Sequence, residues 1–490
     1  MVPRDGALRY NPSYMQDTSG TIRTRIPARL DQLPWSRFHW LVVLALGVTW
    51  ILDGLEVTFK GAVSGVLQLP ETMGFSAAEI GLLGSGYLTG AVCGALVFGR
   101  LTDRYGRKRL FFITLGVYLA GVGLSAFSWD FWSFFVFRFI TGCGIGGEYA
   151  AINSAIDELI PARHRGRVGL MINGSFWLGA ALGSGATVLL LDPARFAPDL
   201  GWRLGFGIGA ALGLAILFFR RFIPESPRWL LTHGRAAEAE RIVAGIERSI
   251  GAPPPLADVE FVLRPHRRFG LVQVAHVMFR RYRSRSALCV MLMMSQAFLY
   301  NAIFFTYALV LTRFYAVPAG DTGLYLLPFA IGNFLGPVVL GRWFDTVGRR
   351  PMIALTYGTS ATLLALTGWL FTQDLLSAAG QTAMWSVIFF FASAAASSAY
   401  LTASELFPLE IRALAIAIFF AVGTGTGGIL APWLFGTLIG SGSRDAVFAG
   451  YLLGAGLMLL AVGAVLAYGV RAERKSLEEV APPLSSVSDR

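Results

Sequence analysis

Long apolar runs, each closed by Arg, Asp or Glu, repeat along the chain. Glu79 to Arg100 and Arg109 to Asp130 each enclose 20 uncharged residues, and Arg167 to Asp192 encloses 24. The pattern recurs at Arg285–Arg313, Asp321–Arg342, Arg350–Asp374, Asp374–Glu405, Arg412–Arg444 and Asp445–Arg471. About 20 apolar residues carry a helix across the hydrocarbon core of a bilayer, where each backbone polar group must be bonded within its own segment. A shorter span at Leu204–Phe219 and two that carry charges, Trp40–Leu67 and Phe131–Ile156, bring the expected number of spanning helices to 12. No cleavable leader is expected ahead of the first. Between the sixth and seventh spans, Ser226–Gly251 reads as short amphipathic helices ending at Gly251, and Pro253–Pro255 break the chain after it.

Composition agrees with this pattern. Of 490 residues, 54% are hydrophobic and only 14% charged, too few for the surface of a soluble protein of this length. The three cysteines, Cys93, Cys143 and Cys289, lie in apolar runs and suggest neither a disulfide framework nor a metal site. The five histidines, His39, His164, His233, His266 and His276, have no metal-ligand spacing, so no metal and no cofactor is expected. The net charge of +11 would fit nucleic acid or a membrane surface, and its distribution decides between them. Counted alternately from an inside N-terminus, the outer loops hold only Arg195, Arg203, Arg313 and Arg444, whereas nearly all other Lys and Arg fall in inner loops and tails. This is the positive-inside distribution: both termini are expected in the cytoplasm, with no role for nucleic acid. Residues 1–34 and 472–490, polar and rich in Arg, Ser and Pro, are expected to be poorly ordered.

Two loop motifs occur twice. Gly99–Arg109 (GRLTDRYGRKR) matches Gly341–Pro351 (GRWFDTVGRRP) at an offset of 242, and Glu158–Arg165 (ELIPARHR) matches Glu405–Arg412 (ELFPLEIR) at 247. Unrelated motifs at nearly one offset imply a duplicated six-helix unit, as in secondary transporters. The expected division is 1–36 N-terminal tail, 37–223 first bundle, 224–284 central loop, 285–471 second bundle and 472–490 C-terminal tail. In the short loops Gly106 and Gly348 suit positive φ, and Asp103 and Asp345 suit an arginine partner or a helix N-terminus.

These residues resemble the major facilitator superfamily. Gly99–Lys108 is similar to its signature between helices 2 and 3. Pro224–Leu230 (PESPRWL) and Arg138, followed by Gly142, Gly144, Gly146 and Glu158, resemble the sugar-porter branch. The resemblance covers about Trp40 to Arg471. It implies an all-α membrane protein of two pseudo-symmetric six-helix bundles around a central cavity that opens to either side in turn. It also implies a cytoplasmic gate of Asp103, Arg107, Glu158 and Arg165 in one half and Asp345, Arg349, Glu405 and Arg412 in the other.

The first span carries Asp53, Glu56 and Lys60 at i, i+3 and i+7, on one face of a helix, with Glu56 and Lys60 able to pair. A charge at the bilayer centre costs roughly 2.5–3.5 kcal/mol, so such residues face the bundle interior and find partners. Glu56 lies about 16 Å and Arg138 about 12 Å from the same surface at the helical rise of 1.5 Å per residue, depths that permit an ion pair. Glu148 on helix 4 adds a further carboxylate. The sugar-porter resemblance makes Glu56 the proton-carrying acid and Arg138 its partner, with Asp53 beside them. Asp53–Glu56 (DGLE) also resembles the Asp-Gly-x-Asp element of aromatic-acid/proton symporters, in which case Lys60 and Arg138 could hold a substrate anion.

Asn173, Gln296, Asn301, Tyr307 and Asn333 stand where the sugar-porter pattern places ligands, and amides suit a hydroxyl-rich substrate. Lys60, Glu148 and Tyr400 complete the expected substrate set. Helix 10 departs from the sugar-porter pattern: Ala394–Tyr400 (AAASSAY) stands in place of Trp-Gly-Pro, which argues against a hexose. Gly423–Gly428 and Pro432 mark helix 11 as a place of bending or close packing, with no ligand assigned. The expectation is a monomeric, proton-coupled secondary transporter of a sugar, polyol or organic acid in the inner membrane. It is not an enzyme, and its partners are a small-molecule substrate, a proton and the lipid bilayer. An uncoupled facilitator or a transport-derived sensor is the alternative.

Overall fold

The computed structural model describes residues 14–16, 21–220, 223–251, 260–263, 270–304, 306–318 and 322–486. His266 and Pro253–Pro255 lie outside them. The first bundle is built from α2 (Arg37–Val66), α3 (Ala77–Tyr105), α4 (Arg107–Ser125), α5 (Phe131–Leu159), the broken pair α6 (Arg165–Gly174) and α7 (Phe176–Leu190), and α8 (Pro198–Arg220). The second holds α12 (Arg283–Phe304) with α13 (Tyr307–Tyr315), α14 (Thr322–Thr346), α15 (Arg349–Thr372), α16 (Ala378–Glu405), α17 (Arg412–Gly423) continuing into α18 (Ile429–Gly440), and α19 (Arg444–Tyr468). Counting the broken helices once gives 12 spans in two six-helix bundles. At one end of the molecule lie α1 (Ile26–Gln32), α9 (Pro227–Thr232), α10 (Ala236–Ile250), α11 (Leu271–His276) and α20 (Leu477–Val480). The strands β1 (Tyr14–Gln16), β2 (Ile22–Thr24) and β3 (Phe261–Leu263) form an antiparallel sheet, with Tyr14 opposite Thr24 and Ile22 opposite Leu263. This end is the tail side.

Close helix packing explains the glycines of α3 and α5. A Cβ on Gly94 would lie 2.0 Å from the Cys143 carbonyl oxygen, and one on Gly146 would lie 1.9 Å from that of Ala91. Without a hydrophobic force between helices in lipid, this backbone contact supplies the packing energy. Between bundles, α3 packs on α17 and α6–α7 pack on α14, pairings related by the internal repeat. Gly106 and Gly348 adopt φ of +99° and +118° between α3 and α4 and between α14 and α15, where L side chains are strained. In the tail-side layer, α10 ends at Gly251 with φ +70°.

The tails correct one sequence expectation. Residues 21–34 and 472–486 are packed, although their polar composition predicts disorder. Ile22, Ile26 and Leu30 are buried against Leu230, Val243 and Leu263. Their charged residues are partnered as well: Arg29 is buried between Glu240 and Glu247, at 2.7 Å from the former. Composition read locally cannot see partners more than 200 residues away.

Candidate functional site

Two clusters stand out: a network of charges joining the two bundles on the tail side, here named the latch, and a central cavity backed by charges.

The latch brings together all eight gate residues named above, each at most 9% exposed. Asp103, near the end of α3, accepts from the Ala413 and Leu414 amides at 3.2 and 2.9 Å, at the N-terminus of α17 in the other bundle. Asp345, near the end of α14, does the same to Gly166 and Arg167 at 2.9 and 2.8 Å, at the N-terminus of α6. Each aspartate therefore meets the positive end of a helix dipole across the bundle interface. Arg107 pairs with Glu158 at 2.8 Å and Asp103 at 3.3 Å; Arg349 pairs with Glu405 and Asp345, both at 2.8 Å. The remaining arginines cross over: Arg412 approaches Glu158 at 3.6 Å, and Arg165 approaches Glu405 at 3.8 Å.

The tails join this latch. Asp31 accepts from Arg165 at 3.2 Å and from Arg228 at 2.8 Å. Arg228 also donates to Glu478 in α20 at 3.0 Å and to the Glu158 carbonyl at 2.8 Å. Burial opposes the charge on Arg228, but Asp31 and Glu478 outweigh it and hold the guanidinium proton above its ordinary pKa. Glu225, of the PESPRWL motif, accepts from the Arg107 amide at 2.9 Å and so caps α4; burial pushes its pKa up. Glu473 takes the matching place before α15, 3.3 Å from the Arg349 amide.

A cavity of about 240 Å³ lies between the bundles. The helices that surround it are irregular where they meet it. The α6–α7 helix breaks at Ser175 beside Phe176 and Trp177, a turn at Thr306 precedes α13, and a π-helical segment at Thr424–Gly428 joins α17 to α18. Interrupted backbone at membrane depth is tolerated where it lines such a cavity. One wall is an aromatic stack. Trp50 lies on Tyr149 at 4.5 Å and 6° between planes, with Tyr400 edge-on to both and Phe420 edge-on to Tyr149 at 5.1 Å. Trp177, with Tyr300 at 5.9 Å and Phe304 at 5.3 Å, adds a second aromatic group. Polar groups are Asn173, Gln296, Asn301, Ser393, Ser397 and Thr424; among the described residues the lining holds no charged side chain.

The charges stand one side chain behind this wall. Arg138 forms an ion pair with Glu56, both buried, and its guanidinium lies 5.0 Å from the Tyr87 ring centre. The Lys60 ammonium is over the same ring at 4.6 Å, so the Glu56–Lys60 pairing allowed by i, i+4 spacing gives way to one between Glu56 and Arg138. Asp53, 1% exposed, accepts from the Tyr149 hydroxyl at 2.6 Å. Tyr87 and Tyr149 thus both line the cavity and contact the cluster.

Of the expected substrate set, Asn173, Gln296, Asn301 and Tyr400 line the cavity, and Lys60, Glu148, Tyr307 and Asn333 do not. Asn333 is wholly buried and accepts from the Tyr300 hydroxyl at 2.7 Å, so it orients a lining residue from behind. Glu148 is buried on α5, and Tyr307 opens α13 beyond Phe304. Trp50, Tyr149, Trp177 and Tyr300 were not singled out from sequence. Two had a signal: Trp50 is three residues before Asp53, and Tyr149 is three helical turns after Arg138, on the same faces as those charges.

Solved structures share this fold. The proton:xylose symporter XylE bound to 6-bromo-6-deoxy-D-glucose superposes with a TM-score of 0.69 at 19% identity, over 89% of this chain and 98% of that one. A partially occluded inward open form of the same transporter, from E. coli, gives 0.63 at 21% identity, over 89% and 99%. Among curated relatives, a niacin transporter of Acinetobacter baylyi is 28% identical over 92% of this chain and 99% of its own length. A 4-hydroxybenzoate transporter of Pseudomonas aeruginosa is 27% identical over 90% and 95%. A myo-inositol transporter of Schizosaccharomyces pombe is 28% identical over 84% and 76%. With residues 45–483 matching the family described as "Sugar (and other) transporter", the chain belongs to that family of multi-pass membrane transporters.

Proposed function

We propose that this protein is a proton symporter for a small, flat monocarboxylate of aromatic character. The observation that carries this is the uncharged aromatic cavity backed by a balanced cluster of charges, of which Asp53, Glu56 and Arg138 are buried and Lys60 half-buried. Stacked and edge-on rings offer faces to a planar ring, and amides and hydroxyls can fix its substituents. Behind them Asp53 and Glu56 balance Lys60 and Arg138. A proton on one carboxylate leaves the cluster with one positive charge, which a substrate carboxylate neutralises; proton and anion then bind together more readily than either alone. The niacin and 4-hydroxybenzoate transporters among the relatives support this substrate class.

The tail side is the cytoplasmic side of the inner membrane, a reading the loop charges support. The bundles at 37–223 and 285–471 rock about the cavity, and the eight-residue latch holds its cytoplasmic end shut. A proton loaded on the cluster, on Asp53 or on Glu56, loosens the Glu56–Arg138 pair. A sugar or polyol is the second reading; the amides Asn173, Gln296 and Asn301 and the myo-inositol relative favour it.

The test is uptake into proteoliposomes under an imposed pH gradient, with labelled nicotinate, 4-hydroxybenzoate, xylose and myo-inositol in parallel. Gradient-driven accumulation of an aromatic acid, lost in Glu56→Gln, is expected. Accumulation of a sugar alone would overturn the substrate class. Equal uptake with and without the gradient would make the protein a facilitator.

A further inference from the structure

Tyr149 belongs to both sites. Its hydroxyl donates to one oxygen of Asp53 at 2.6 Å, while the other oxygen, Oδ1, is buried and has no hydrogen-bond partner among the described residues. Its ring lines the cavity, stacks on Trp50 and touches Tyr400 and Phe420 of the opposite bundle. No other lining residue is hydrogen-bonded to the charged cluster among the described residues. The charged and titratable groups around Asp53 are Glu56 on α2, Tyr87 on α3, Tyr118 on α4, Arg138 and Tyr149 on α5, and Tyr400 on α16, with Lys60 one turn beyond Glu56. Against this stretch α7 presents the backbone at Phe176 and Ala180.

We propose that Tyr149 couples the proton to the substrate: its hydroxyl donates to Asp53 when that carboxylate is ionised and to the substrate when Asp53 is protonated. The inference rests on the symport reading and adds the residue that links its two halves. An ionised carboxylate is the stronger acceptor, so it withdraws the hydroxyl from the cavity. A proton arriving on the unpartnered oxygen neutralises Asp53, weakens that bond and releases the donor to a substrate oxygen. Apart from the O–H bond that the arriving proton forms on Asp53, and that is broken again when the proton leaves, no covalent bond changes. The Tyr149 ring, wedged between Trp50 and the other bundle, carries the result to the interface that moves.

The experiment measures substrate half-saturation against pH, and protons taken up per substrate, in proteoliposomes of wild type, Tyr149→Phe and Tyr400→Phe. In wild type the half-saturation constant should rise with pH, at the limit roughly tenfold per pH unit for one linked proton. Tyr149→Phe should flatten that rise and lower the proton ratio. Tyr400→Phe removes a lining hydroxyl that is not bonded to Asp53; it should move the constant and keep the slope. A wild-type slope and ratio in Tyr149→Phe would overturn the proposal. Should Tyr149→Phe fail to insert, Asp53→Asn serves: it fixes the hydroxyl in its released state, so its half-saturation constant should stay near the wild-type low-pH value at every pH, and a rise with pH would refute the coupling. Wild type without proton uptake would sink the symport reading itself, a result distinct from retained coupling in Tyr149→Phe.

Discussion

Asp103→Asn tests whether the latch controls which side is open. Asp103 accepts two backbone hydrogen bonds from the N-terminus of α17 and lies 3.3 Å from Arg107. A charge-assisted hydrogen bond contributes about 1.5–3 kcal/mol net, and a helix terminus adds up to about 2 kcal/mol when partly buried. Asparagine keeps an acceptor oxygen and loses the charge, so the loss is nearer the cost of one such bond, about 2 kcal/mol. All of it falls on the closed state, because both donors sit in the opposite bundle. At 1.36 kcal/mol per factor of ten, the equilibrium shifts about 30-fold toward opening on the tail side. The assay uses Ser397→Cys, a cavity position, in a background with Cys93, Cys143 and Cys289 replaced. Labelling by an impermeant maleimide is timed in inside-out and right-side-out vesicles. Asp103→Asn should speed labelling in inside-out vesicles by at least tenfold and slow it in right-side-out ones. Asp345→Asn, its counterpart on α14, should match it within a factor of a few. Unchanged labelling from both sides, in protein inserted at normal levels, would refute the reasoning: the aspartates would then cap helices without restraining the bundles.

Other expectations follow from named contacts. Asn333→Ala removes the acceptor of the Tyr300 hydroxyl, leaves a buried donor at a cost of about 1–3 kcal/mol, and should raise the half-saturation constant more than it lowers the maximal rate of uptake. Gly146→Ala sets a Cβ 1.9 Å from the Ala91 carbonyl oxygen and forces α3 from α5; a melting temperature several degrees lower in detergent is expected, overpacking costing about 1–3 kcal/mol. Asp31→Asn weakens the bonds to Arg165 and Arg228 and should shift the Ser397→Cys labelling in the same direction as Asp103→Asn, by a smaller factor. Burial and the neighbouring Arg163 hold the His164 imidazole below its ordinary pKa, so the folded protein takes up that proton less readily than the unfolded chain; stability should fall as pH drops through about 6.5, and His164→Gln should reduce the fall in a melting series.

The spans and the latch were legible in the sequence for one reason: both are written in local pattern. A helix in lipid must satisfy its own backbone, so its length appears as an uninterrupted apolar run, and charges mark its ends. Duplication supplied the rest. Asp103 and Asp345, or Glu158 and Glu405, recur at nearly one offset, and a repeated charge at a repeated turn has a structural role in both copies. What the repeat could not reveal is that each aspartate reaches across to the other half. That depends on how the bundles meet, through α3 on α17 and α6 on α14.

The cavity and the tails were harder to read, for opposite reasons. In an apolar run an unexplained amide or charge stands out. Asn173, Gln296 and Asn301 are therefore visible, and so is Asn333, whose amide serves Tyr300 instead. Trp50, Tyr149 and Trp177 are not, because an aromatic residue in a lipid-crossing run looks like any other apolar one. Only the helical register of Trp50 with Asp53, and of Tyr149 with Arg138, separates them from ring side chains that face lipid, such as Trp433 or Trp369. In the tails the failure runs the other way. Arg29, Asp31 and Glu478 look like a solvated periphery until their partners Glu240, Arg228 and Arg165 are brought to them by the fold. A buried arginine that keeps its charge, as Arg228 does between Asp31 and Glu478, holds both tails to the tail-side layer at once. Opening the latch must then either break those pairs or carry the tails along with one bundle. Because Asp31 is bonded to Arg165, which also reaches Glu405 of the second bundle, the first course strips a latch arginine of one of its carboxylates. If the eight residues hold the tail side shut as proposed, the tails add to that barrier.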